Sequence, residues 1–114
     1  MRSLALSLLL TGGLAASAAA APAAYPTAVL ADYVLGCMAA RGQSPDALQR
    51  CACSIDRLAA RLPYDDYVKA ETVLRMRRET TGRDQITMFR TSPWAQEMVD
   101  KLRRAQLEAD VECF

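Results

Sequence analysis

Two of the four cysteines in this chain stand one residue apart, as Cys51-Ala52-Cys53, in the middle of a stretch with helical spacing. An α-helix turns about 100° per residue, so side chains two positions apart point about 200° away from each other. While this segment is helical, Cys51 and Cys53 cannot bond to one another, and each must reach a separate partner, Cys37 or Cys113. The fold must therefore bring other segments of the chain to different sides of this helix.

Helix punctuation supplies those segments. Thr27 to Arg41 carries Val29, Leu30, Tyr33, Val34, Cys37 and Met38 at helical spacing, with Gly42 at the place of a left-handed C-terminal stop. Ser44 followed by Pro45 is a start signal: the serine oxygen accepts from a free first-turn amide, proline has no amide to leave unpaired, and Asp46 suits the positive helix end. The second helix, Pro45 to Leu62, is read with Leu48, Cys51, Ala52, Ile55, Leu58, Ala59 and Leu62 on its inner stripe and Arg50, Ser54, Arg57 and Arg61 facing away. Pro63 ends it. Asp65 and Asp66 open a third helix that buries Tyr67, Val68, Ala70, Val73 and Leu74, and Thr80, Thr81 and Gly82 break it. Residues 83–91 are a connector, after which Ser92 and Pro93 repeat the start signal. A fourth helix then carries Trp94, Ala95, Met98, Val99, Leu102, Ala105 and Ala109 toward Cys113 and Phe114.

Strand-like alternation is absent, and the reading is all-α: a small bundle of about four helices stapled by two disulfides. A short turn at Gly42 and Gln43 makes the first two helices antiparallel and places Cys37 and Cys51 at similar distances from it. That favours Cys37 with Cys51 and Cys53 with Cys113 over the crossed pairing, which stays open at this level.

Disulfides belong to oxidising compartments, and the start of the chain agrees. Residues 1–24 read as a secretory signal peptide: basic Arg2, a short apolar stretch from Leu4 to Leu10, then small residues offering cleavage near positions 20 to 24. The expected product is a single domain over 25–114, periplasmic or secreted, with no further apolar run long enough to span a bilayer. A domain of this size has a thin core and commonly needs a covalent staple.

Charge and composition narrow the function classes. The chain has 14 basic and 13 acidic residues, and losing Arg2 with the leader balances them. A neutral domain lacks the electrostatic footprint of a nucleic-acid or anionic-membrane binder. The sequence contains no histidine, which removes the commonest general base, the usual zinc and haem ligand, and every Ser-His or Cys-His arrangement. No catalytic residue, metal-ligand set or cofactor is read from it.

Several constellations invite sharper readings, each with a plainer rival. Cys51 and Cys53 beside Met38, Met76, Met88 and Met98 offer soft sulfur to Cu(I), but the methionines sit mostly at core spacing. A thiol-disulfide exchanger needs a low-pKa thiolate, usually in a Cys-x-x-Cys unit opening a helix, unlike this mid-helix pair. Asp65 and Asp66 complement a helix dipole and lack the spaced acids and glycine of a calcium loop. Arg75, Arg77 and Arg78, with Glu71 and Glu79 within a turn, read as a salt-bridged solvated face or as a candidate partner surface. Trp94, the only tryptophan, is read as a core side chain or as an anchor of that surface.

The stretch CACSIDRLAARLPYDDYVKAETVLRM, Cys51 to Met76, and the ending LRRAQLEADVECF resemble a family of small exported proteobacterial four-cysteine proteins. The likeness covers nearly all of the expected mature chain. It implies a neighbourhood, gene clusters for periplasmic quinoprotein alcohol dehydrogenases and their c-type cytochromes, and it carries over no catalytic residue. The leading expectation is a non-enzymatic periplasmic accessory or protein-binding module with a protein partner. The alternatives are a small metal or cofactor carrier, using reduced Cys51 and Cys53 or the acidic start of helix three, and an inhibitor or immunity-type binder.

Overall fold

The structure, a computed structural model, describes residues 24–79 and 92–114. The expected signal peptide (all but its last residue), the expected break at Thr80 to Gly82 and the expected connector 83–91, with Met88, lie outside the described residues.

Four helices are present among the described residues: α1 (Thr27–Arg41), α2 (Pro45–Arg61), α3 (Tyr64–Arg78) and α4 (Pro93–Cys113). Both serine starts form as the sequence predicts. Ser44 Oγ accepts from the Ala47 amide at 3.0 Å and Ser92 Oγ from the Ala95 amide at 3.4 Å. Gly42 does turn the chain at positive φ, 114°, but with ψ at 160°. This is the extended mirror region that glycine alone enters freely, and not the left-handed helical stop the sequence suggests.

Helix α4 is the axis of the packing. Its inner stripe Ala95, Met98, Val99, Leu102, Ala105 and Ala109 is buried along the whole helix. The C-terminal half lies against α2 and the N-terminal half against α3, where Val73 meets Ala95 and Val99. Leu58 and Ile55 of α2 complete the main core with Tyr67 and Ala70 of α3. Helix α1 has no fully buried residue; it rests on the outside of α2 through half-buried Val29, Leu30, Tyr33 and Val34.

The disulfides are Cys37–Cys51 and Cys53–Cys113, each with its Cα atoms 5.8 Å apart. The favoured pairing is the one observed. The Cys-Ala-Cys unit holds α1 on one side of α2 and the end of α4 on another. Ion pairs follow the same seam: Arg57 reaches Glu112 at 3.2 Å, and Arg61 reaches Glu108 at 3.4 Å and also pairs with Glu112.

Three expected burials are corrected. Ser54, read as facing away, is 1% exposed, whereas Leu48, read as core, is 43% exposed. The buried residues of α2 are Ala47, Cys51, Ser54, Ile55 and Leu58; Leu48 shares the line of Ile55 but stands in the first turn of the helix, where that line is left uncovered. Val68 is exposed because it lies about 100° from Tyr67, whose row with Ala70 and Val73 faces the core.

The segment before α1 is clasped to the end of α2. Tyr25 donates its hydroxyl to the Leu62 carbonyl at 2.8 Å, and its ring meets those of Tyr64 and Tyr67 with centroids 5.1 Å away in each case. Burial, then the Asp66 carboxylate and Tyr64, push the Tyr25 phenol up from 10.0 to about 12. A raised phenol pKa contributes stability below the unfolded value near 10, lost as pH rises through the folded value near 12. Titration of tyrosinate absorbance beside circular dichroism is therefore expected to show Tyr25 ionising late and together with loss of helix. Ionisation of all the tyrosines near pH 10 with helix intact contradicts this.

Candidate functional site

Ser54 is the single buried polar residue among the described residues, and it sits at a junction of three helices. It donates to Asp110 Oδ1 of α4 at 2.8 Å and lies 3.2 Å from the Tyr33 hydroxyl of α1. A hydroxyl has one proton. With Ser54 giving its proton to the carboxylate, Tyr33 is the donor in the second bond. The other Asp110 oxygen, Oδ2, accepts from Arg41 at 2.7 Å, and the Arg41 guanidinium lies 3.9 Å from the centroid of the Phe114 ring. Sequence periodicity missed this node because serine on a helix reads as an outward residue; its spacing of three from Cys51 and four from Leu58 was the available signal.

Beside the node a groove opens between α1 and α3, floored by α4. Its larger part, about 540 Å³, is lined among others by Asp32, Tyr33, Tyr67, Glu71, Arg103 and Leu107. A second cavity of about 460 Å³ continues along α1 and α3 and adds Arg75. Burial, then the Glu71 carboxylate, pushes the Tyr67 phenol well up, with Tyr25, Asp32 and Tyr33 contributing in the same direction.

The outer edge of α4 carries the most conspicuous surface. Leu107, Val111 and Phe114 follow at steps of four and three and are 68%, 83% and 40% exposed. They form one apolar ridge leading from the groove to the C-terminus, while Ala105 and Ala109 on the opposite side of the same helix are locked in the core.

The residues singled out from sequence are not gathered in one place. Trp94 is 46% exposed at the start of α4, so it is no core residue. Arg75 lines the second cavity, Arg77 reaches Gln96 of α4 at 3.3 Å, and Arg78 is exposed at the end of α3. Among the described residues no ion pair joins Arg75 or Arg78 to Glu71 or Glu79, unlike the salt-bridged face expected. Asp66 at the start of α3 is engaged instead with Lys69 at 3.6 Å and Lys101 at 3.8 Å. The four cysteines are all consumed in disulfides. Among the described residues no helix is long and apolar enough to cross a membrane.

No family model, curated protein or solved structure matches the chain.

Proposed function

We propose that the protein is a non-enzymatic, exported accessory module that docks a protein partner through the ridge of α4. The observation that carries this reading is the exposure of Leu107, Val111 and Phe114 as one stripe on a helix whose other side is fully buried. Leaving such a stripe in water forfeits roughly 25 cal/mol for each Å² of apolar surface that a partner would cover. Contiguous exposed apolar side chains with charged neighbours are the usual mark of a protein interface. The ridge is held by the Cys53–Cys113 bond and by the Arg41 to Asp110 pair, so it is presented as a preformed surface. The resemblance noted above makes a periplasmic quinoprotein dehydrogenase, or the cytochrome that serves it, the first partner to test.

A photo-crosslinking residue placed at Val111 in producing cells is expected to trap one partner protein, and a probe at exposed Ala60 of α2 to trap none. Leu107→Asp with Val111→Asp is expected to abolish the adduct without altering helix content, because neither side chain supports the core. Adducts of equal yield at both positions, or a chain that merely dimerises through the ridge, contradict the reading.

A further inference from the structure

The groove between α1 and α3 has a chemistry the ridge does not use. Asp32, Tyr67 and Glu71 line both of its cavities. Neither carboxylate has a hydrogen-bond or ion-pair partner among the described residues. Tyr67 is 7% exposed, and its hydroxyl makes no hydrogen bond to any described residue. No sealed, unsatisfied side-chain oxygen occurs among the described residues. The small open part of Tyr67 therefore includes its hydroxyl, and the side chain lines both cavities. A phenol this deeply buried ordinarily has a partner in the protein.

Charge decides what kind of ligand fits. Asp110 matches Arg41 at 2.7 Å, which leaves Asp32 and Glu71 against Arg103 in the first cavity. In the second cavity the same two acids face Arg75. The two cavities share these acids but not the arginines, so the lining common to both holds two carboxylates and no guanidinium. A hard metal ion is poorly served, since calcium takes about 6 to 8 oxygens and no group of three or more metal-ligating side chains occurs among the described residues. An ammonium group asks for less: it brings one positive charge and three N–H donors, and its alkyl body suits walls that include Val29 and Val68.

We propose that Asp32, Glu71 and Tyr67 form a binding site for an alkylammonium group, supplied either by a free amine or by a lysine side chain. The carboxylates accept two of the N–H bonds and balance the charge. The Tyr67 oxygen accepts the third. The upward push on the Tyr67 phenol by Glu71 and Asp32 shows that the fields of both carboxylates reach that hydroxyl. The volume of each cavity falls within the range of small-molecule sites. The site does not depend on the α4 ridge acting as a docking surface.

The test is a titration of the oxidised protein followed by amide NMR, with n-hexylamine, N-acetyl-lysine-methylamide and hexanoate as probes. Hexylamine is expected to give saturable shifts around Asp32, Tyr67 and Glu71, and hexanoate none. Equal affinity for the lysine compound identifies a protein side chain as the source, and an affinity about tenfold weaker identifies a free amine. Asp32→Asn with Glu71→Gln is expected to weaken hexylamine binding by about tenfold or more. Tyr67→Phe, which keeps the ring, is expected to weaken it by about two- to tenfold while leaving thermal stability unchanged. The absence of saturable shifts with either amine, equal binding of hexanoate, displacement of hexylamine by calcium, or undiminished affinity in the double variant overturns the assignment.

Discussion

Replacing Cys53 and Cys113 together with alanine is expected to lower the free energy of unfolding by about 4 kcal/mol, read as a drop in the urea midpoint. The bond spans 60 residues of sequence, and loop-closure entropy gives a value between those for short and very long loops. Removing Cys37–Cys51, with a separation of 14, is expected to cost about 3 kcal/mol. Small domains have about 5 to 15 kcal/mol in total, so the larger loss leaves the chain near its unfolding threshold. The two pairs also differ in what they release. Loss of the first frees the end of α4, with Asp110, Glu112 and Phe114, whereas loss of the second loosens α1 from α2. A change below about 1 kcal/mol for the Cys53–Cys113 pair would mean that the packing of α4 alone holds the fold.

Leu58→Ala is expected to destabilise the protein by about 2 to 5 kcal/mol, and Leu48→Ala by less than about 0.5 kcal/mol. Both leucines lie on α2 and both belong to the inner stripe that periodicity predicts, yet Leu58 is 0% exposed and Leu48 is 43% exposed. Truncating Leu58 opens a cavity in the core cluster that it shares with Ile55, Tyr67 and Leu102. Chemical unfolding of the two variants side by side checks the orientation of α2. Equal losses at the two positions contradict it.

The fold was legible because its signals are local or covalent. Serine-proline starts, Gly42 and Pro63 delimit α1, α2, the start of α3 and α4 to within a residue or two. The Cys-Ala-Cys spacing demanded partners on two sides of α2, and the observed pairing follows from the antiparallel turn at Gly42. The candidate surfaces were far less legible. Ser54 is joined to Tyr33 and Asp110 across separations of 21 and 56 residues, and the acids of the groove come from separate helices. Helical periodicity finds the face that packs, but not which outward residues a neighbouring helix brings together. The arginines of α3 illustrate this: a run in sequence suggests one basic patch, and the structure disperses it between a cavity, a contact with α4 and the end of the helix.

The apolar ridge, the polar node and the groove all depend on α1 and α4 being fixed to different sides of α2 by oxidised sulfur. The most direct measurement is the intact mass of the protein purified without reductant, before and after alkylation, followed by digestion and mapping of the bridges. The expected result is a mass four hydrogens below the reduced chain, no alkylation, and fragments joined as Cys37–Cys51 and Cys53–Cys113. Alkylation at Cys51 or Cys53, added mass on either, or fragments joining Cys37 to Cys53 would contradict it.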